Sequence, residues 1–238
     1  MQNPTRIPEL VHRERFIKNV LATGSASFVS GDDGWACVPF KQDPSREIVL
    51  FWSNRAEAQR WADVVAINPT VHDISLASLL SDVLPMLAQR RCLIGTDWST
   101  DPSDPIVDTD DLATRIWRER GEQFMNAVRK SGAVWVLESA SGPAMLPSQR
   151  QPGKEYIPVW ATREAASPHI AGGWSVKRAI AISLDVFAER YLPFVEQRGG
   201  FIGAEPMPAA GTKEMTASEF AVRAFPSQAL SQLRGVSA

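Results

Sequence analysis

The chain has 238 residues, 44% of them hydrophobic and 22% charged, with eight Trp and ten Phe; this excludes general disorder and leaves room for one large domain or two of about 100 residues. A net charge of −2 excludes the overall basic bias of a protein that binds nucleic acid by neutralising phosphates, and there is no run of about 18 apolar residues to span a membrane. The polar, charged N-terminus is not a signal peptide and reads as cytoplasmic, and Cys37 and Cys92 are too few for a disulfide framework or a four-cysteine zinc site.

In chain order, the first predicted element is a helix from about Glu9 to Ala22, with Pro8 in its first turn, Leu10, Phe16, Ile17, Val20 and Leu21 on one stripe, and Gly24 to end it. SASFVS, the turn GDDG and WACVPF then read as a hairpin, and REIVLFW as a third strand. A short helix follows near Asn54, with Ser53 or Asn54 as its cap. Ser75 caps the clearest helix, whose Leu76, Leu79, Leu80, Val83, Leu84 and Leu87 recur at helical spacing; Pro85 inside it predicts a kink or a tightened last turn. CLIGTDW closes the unit as a strand. Residues 99–111, acidic and lacking Lys or Arg, read as a linker.

The elements then repeat. A helix from about Leu112 to Lys130 is followed by AVWVLES, PAMLP and EYIPVW as strands, a short helix capped by Thr162, and a helix capped by Ser183 that contains Pro193. FIGAEP is the last strand, and a tail with a short helix from Ser218 to Phe225 ends the chain. Shifting the chain by 108 residues aligns the copies without a gap, with about 20 identities over roughly 83 positions. The fold class expected is therefore α+β: two tandem repeats of an α-β-β-β-α-β-α-β unit, mostly antiparallel sheets with helices on one face. The first repeat covers 1–98, the linker 99–111, and the second repeat with its tail 112–238. Residues up to Asp110 carry 10 basic and 15 acidic side chains, net −5; the remainder carries 15 basic and 12 acidic, net +3.

Chemical motifs are sparse. The three histidines, His12, His72 and His169, are not spaced as metal ligands, and the usual phosphate-loop, dinucleotide, serine-elbow and zinc-protease patterns do not occur. No catalytic residue, metal or cofactor is expected. Asp32 and Asp33 form an acidic turn with Trp35 behind it; they read as turn formers or as a contact for a basic partner. Glu47 and Glu155, Arg55 and Arg163, Gln89 and Gln197, and Arg90 and Arg198 recur between the copies as structural ion pairs or caps; the alternative is an enzyme or small-ligand-binding protein that uses Arg55, Arg163, Glu47 or Glu155 in a crevice between the repeats. Trp52, Trp160, Trp135 and Phe51 belong to the core by pattern, whereas Trp35, Trp61, Trp98, Trp117 and Trp174 have polar neighbours and include candidates for a protein-binding hot spot.

The succession GDDGWA, VLFWSNRAEA, SLLSDVLPML and LIGTDW resembles a bacterial family of small domains of unknown function, with a DDGWA hairpin, an FWS strand end, an LP inside a helix and a closing G-x-x-W strand. The resemblance covers Phe16 to Trp98; in the second copy the corresponding residues read SASGPA, VWA and Pro206. Its members look like proteins encoded among toxin and immunity genes. That resemblance implies a non-enzymatic immunity protein that binds and neutralises an antibacterial toxin, with no nucleic-acid or membrane partner. Asp32, Asp33, Trp35, Asp97, Trp98, Asp101, Asp104 and Asp108 are then the candidate partner-binding residues.

Overall fold

The structure, a computed structural model, describes residues 8–99, 106–139, 142–170, 178–207 and 210–226, with the side chains of 8–11 left aside. The chain divides into two units, 1–119 and 120–238. In the first, α1 (Pro8–Thr23) precedes β1 (Ser25–Gly31), β2 (Gly34–Trp35), β3 (Cys37–Pro39) and β4 (Glu47–Trp52). Then come α2 (Arg55–Val65), β5 (Thr70–Ser75), α3 (Leu76–Ser78), a π-helical turn Leu79–Val83, α4 (Leu84–Gln89), β6 (Leu93–Thr96) and β7 (Ile106–Asp108). α1 ends where Gly24, at φ +73°, takes the left-handed conformation that a Cβ would disfavour; its N–H bonds to the Val20 carbonyl and its own carbonyl receives Leu76 N–H.

The sheet is seven-stranded. β5 pairs with β1, β1 with β4, β4 with β6 and β6 with β7, while β2 pairs with β1, and β3 with β4. Only β4 and β6 run parallel, with Ile48 beside Leu93 and Phe51 beside Thr96. β4 is an unbroken apolar run because it is buried on both faces after Glu47. One face, with Ile48, Leu50 and Trp52, packs against Ala58 and Ala62 of α2. Residues at alternate positions, Val49 and Phe51, face the other way. α2 is capped by the Asn54 side chain on Ala56 N–H, and α3 by Ser75 on Ser78 N–H.

The second unit repeats this plan. α5 (Thr109–Ser131) leads into β8 (Ala133–Ser139), β9 (Gly142–Pro143), β10 (Leu146–Pro147) and β11 (Glu155–Trp160). α6 (Arg163–Ala166) and β12 (Arg178–Ser183) follow, then α7 (Leu184–Val186), a π-helical turn Phe187–Tyr191, α8 (Leu192–Gln197), β13 (Phe201–Met207), β14 (Gly211–Met215) and α9 (Ala217–Ala224). Its strand order is β12-β8-β11-β13-β14, with β11 and β13 parallel. The larger core joins Phe124 and Val128 of α5, Val136, Val159 and Ile202 of the sheet, Phe187, Leu192 and Val195, and Phe220 of α9. On the opposite face Leu137 and Trp160 pack on Ala166 of α6. Most helical residues thus cover one face of the sheet, and the short helix after the central strand covers the other.

Two elements differ from the expectation in form. Each proline-containing helix is interrupted by a π turn, closed by Leu84 N–H on Leu79 O and by Leu192 N–H on Phe187 O. An α-helical turn would press the proline ring against the carbonyl four residues earlier; the wider turn accommodates it, so of the expected kink or tightened last turn the helix shows neither in simple form and opens before Pro85 and Pro193. The acidic segment 99–111 also contributes structure. Residues 106–108 pair with β6 as β7, and 109–111 open α5, where Asp108 accepts the Asp110 N–H and Asp110 and Asp111 lie in the first turn, the end of a helix that favours negative charge. Residues 100–105 of that segment lie outside the described residues.

Candidate functional site

The end of the first sheet where β4 begins carries the features most exposed to a partner. Gly31 and Gly34 pair, so Asp32 and Asp33 form the two-residue tip of the β1–β2 hairpin, with Gly34 at φ +102°. The tip is tied to the segment after α2: Asp32 N–H donates to the Ile67 carbonyl at 3.1 Å, and Asn68 Nδ2 donates to the Asp32 carboxylate at 2.8 Å. A Cβ at Gly31 would collide with that same carbonyl, so the close approach requires glycine there. Beside the tip, Ile67 is 68% exposed and Val64 62%, with Asp63 also exposed. Neither aliphatic was singled out in the sequence, because the outward face of α2 follows from its packing and Ile67 lies beyond the helical period.

Behind the tip, Trp35 is half-buried and stacks on Phe28 at 4.6 Å; Phe28 stacks in turn on His72 at 5.0 Å, and Trp35 meets Phe51 edge-on. His72 is held by the Ser30 hydroxyl at 2.8 Å. Trp35 and Asp33 also line an open recess of about 520 Å³ with Cys37, Glu47, Arg90 and Cys92. Cys92 is buried, whereas Cys37 on β3 is exposed. Partial burial and the neighbouring Glu47 carboxylate push the Cys37 thiol above its ordinary value, which disfavours a reactive thiolate.

The other expected contact residues are placed elsewhere. Asp97 and Trp98 follow β6, at the opposite end of the sheet from the hairpin tip. Asp97, expected at the partner surface, is only 9% exposed: its carboxylate accepts from Ser53 N–H at 2.7 Å, Ser53 Oγ at 3.1 Å and Arg15 Nε at 3.2 Å, and Asn19 completes the network through Ser53. Burial of a carboxylate is tolerated there because each partner donates to it. Trp98 is half-buried, its carbonyl accepting Trp52 Nε1 and its ring edge-on to Trp61 at 5.7 Å. Asp108 lies in β7 within 3.6 Å of Arg46. Asp101, Asp104 and Trp174 lie outside the described residues. The structure therefore joins Asp32, Asp33 and Trp35 in one region and leaves Asp97 and Trp98 apart from them.

Of the recurring pairs, Arg55 bonds Asp73 at 2.8 Å and the Val71 carbonyl at 3.0 Å, and the Ser27 hydroxyl, followed by Arg55, holds the Asp73 carboxyl below its usual range. The position matching Asp73 is Ala181, so Arg163 has no such carboxylate opposite it. Among the described residues no group of three His, Cys, Asp or Glu side chains is placed to hold a metal ion. No described helix is long and apolar enough to cross a membrane.

The profile of a family described as "Protein of unknown function (DUF2750)" matches residues 13–116 and again 121–223. The chain belongs to this family. It carries two DUF2750 domains in tandem, and each match coincides with one of the two units. No curated protein matches the sequence. Among solved structures, this chain is similar to one titled "Anabaena Tic22 (protein transport)", at 13% identity and a TM-score of 0.27 over 82% of this chain and 93% of that one. A second, "Tic22 from Plasmodium falciparum", gives 11% identity and a TM-score of 0.25 over 82% and 92%.

Proposed function

We propose that this tandem DUF2750 protein is a non-enzymatic binding protein of the immunity type, which neutralises a bacterial toxin through the hairpin end of its first unit. The observation that carries the reading is the exposed Ile67, whose carbonyl is bonded to the acidic tip Asp32–Asp33, with the exposed Val64 three residues before it. Exposed aliphatic area next to carboxylates suits a partner whose surface is basic around an apolar patch, such as the cationic cleft of a nuclease. The apolar contact would supply most of the affinity, and the carboxylates would speed encounter and fix orientation. The second DUF2750 unit has Ala140 and Ser141 at the positions of Asp32 and Asp33, so the reading assigns recognition to the first unit.

The test is coexpression with toxins encoded beside this chain, read as growth rescue and as affinity by titration. The intact chain is expected to rescue growth and bind one of them. Ile67→Asp, at an exposed position, is expected to weaken binding by about 30-fold, the scale of one hot-spot residue. Asp32→Asn with Asp33→Asn is expected to slow association and reduce its salt dependence. No rescue and no complex with any of these toxins, or a complex indifferent to Ile67→Asp, would refute the proposal.

A further inference from the structure

The shift of 108 residues that superimposes the two halves of the sequence also superimposes two recesses. The first, of about 520 Å³, includes Cys37, Ser45, Glu47, Arg90 and Cys92 in its lining. The second, of about 500 Å³, includes Met145, Gly153, Glu155, Arg198 and Gly200, the five matching positions. Within each unit the geometry has one cause. β3 pairs Cys37 with Val49, two residues beyond Glu47 on the same face of β4, and Cys92 precedes Leu93, which lies beside Ile48. Arg90 closes the recess from the C-terminus of α4, and Arg198 does so from α8.

Between the two recesses the uncharged lining has changed at three of the five positions: Cys37 to Met145, Ser45 to Gly153 and Cys92 to Gly200. The carboxylate and the guanidinium have not. Their retention is not explained by mutual pairing, because among the described residues no salt bridge involves Glu47, Arg90, Glu155 or Arg198. The field of a helix C-terminus favours a cation at Arg90 and Arg198, but it gives no reason for the retained carboxylates. Arg198 is held over the Phe194 ring at 4.5 Å, which orients the cation and leaves its hydrogen-bonding edge open.

Asp33 also lines the first recess and Lys154, which donates to the Arg198 carbonyl, the second; the charges common to both, a carboxylate and a guanidinium that do not pair with each other, fit a ligand that carries both. We propose that the recesses are a duplicated binding site for a small zwitterion of the amino-acid or dipeptide class. The ligand's ammonium group meets Glu47 or Glu155, and its carboxylate meets Arg90 or Arg198, by charge-assisted hydrogen bonds. In the first recess Met86, Leu87 and Trp35 give an apolar side chain somewhere to rest. Both volumes lie within the range of ordinary small-molecule sites.

The experiment is calorimetric titration of the purified full chain, without any protein partner, against the twenty amino acids and a panel of unblocked dipeptides at millimolar concentration. At least one is expected to bind with two equivalents per chain. Arg90→Gln is expected to remove one equivalent, Glu155→Gln the other, and the double variant both, with unfolding midpoints unchanged because all four side chains are exposed. Analogues lacking the ammonium or the carboxylate are expected to bind at least about ten-fold more weakly. Bound ligand is also expected to slow alkylation of Cys37, which lines the first recess. No binding by any member of the panel, a single site, binding indifferent to both substitutions, or unprotected Cys37 would each overturn the proposal. Asp33 and Trp35 border both the hairpin tip and the first recess, so toxin binding is tested separately, by coexpression and by Ile67→Asp, a residue outside the recess lining.

Discussion

Tyr156 of β11 is buried with its ring over Gly203 of β13, where any Cβ would collide with it. Burial first, and then the negative charge of Glu214, push its phenol up to about 12 from an ordinary value of 10. An unfolded chain therefore loses this proton near pH 10 while the folded chain keeps it to about pH 12. Over that interval the native state binds more protons, so stability falls as pH rises; below pH 10 the contribution is fully present. Tyr156→Phe is expected to flatten this alkaline limb in urea-unfolding midpoints measured from pH 8 upward, and a limb unchanged by the substitution would contradict the assignment. At this scale the sequence was only partly legible. GDDG announces its own turn, since glycine and aspartate specify local conformation. The burial of Asp97 depends on Arg15, 82 residues away, and no local signal reports such a partner. The exposure of Val64 and Ile67 likewise follows from which face of α2 meets the sheet.

Elements were more legible, because caps and periodicity act within a few residues. Ser75, Ser183, Asn54 and Thr162 each cap the helix they precede in sequence. The π turns were not legible: the prolines announce a disturbance, and which way it resolves depends on packing of Leu79, Leu84, Phe187 and Leu192 in the cores. β7 escaped notice because a three-residue strand within an acidic segment has too little pattern to register. The ends of α4 and α8 offer a matched test. Arg91 and Gly199 both have φ +59°, where a Cβ is strained. Arg91→Gly is expected to raise stability by roughly 0.5–1 kcal/mol, since the Arg46 bond to its carbonyl survives the change. Gly199→Ala is expected to lower stability by about 1 kcal/mol, with its Cβ 2.8 Å from the flexible end of Lys154. Urea denaturation of both variants checks this, and equal signs would contradict the shared geometry.

At the scale of the molecule, the duplication explains an arrangement that segment-by-segment reading divided differently. Leu112 and Ile116 of α5 match Phe220 and Ala224 of α9, while Phe124 and Val128 match Phe16 and Val20 of α1; all eight are buried. The first turns of α5 thus play the part of α9 in the first unit, and its last turns play the part of α1 in the second. The boundary between the units, at 119–120, accordingly falls inside a helix, as does the gap between the two family matches. A helix shared in this way is read from the 108-residue register and is hidden from composition, which sees only an acidic stretch before it. The duplicated cores leave the two exteriors free to diverge, so the acidic hairpin tip occurs on one copy while the Glu–Arg recess persists on both.

One scaffold occurs twice in this chain, each copy with a complete core. Amide hydrogen exchange of the intact chain, resolved by residue, tests it most directly. Two matched sets of slow amides are expected, at Val49, Phe51 and Ile94 and at Ile157, Val159 and Ile202, together with Val20 and its counterpart Val128; Pro158, which matches Leu50 in the register of the two copies, has no amide to follow. A chain in which one member of these matched sets is protected and its counterpart exchanges freely would contradict it.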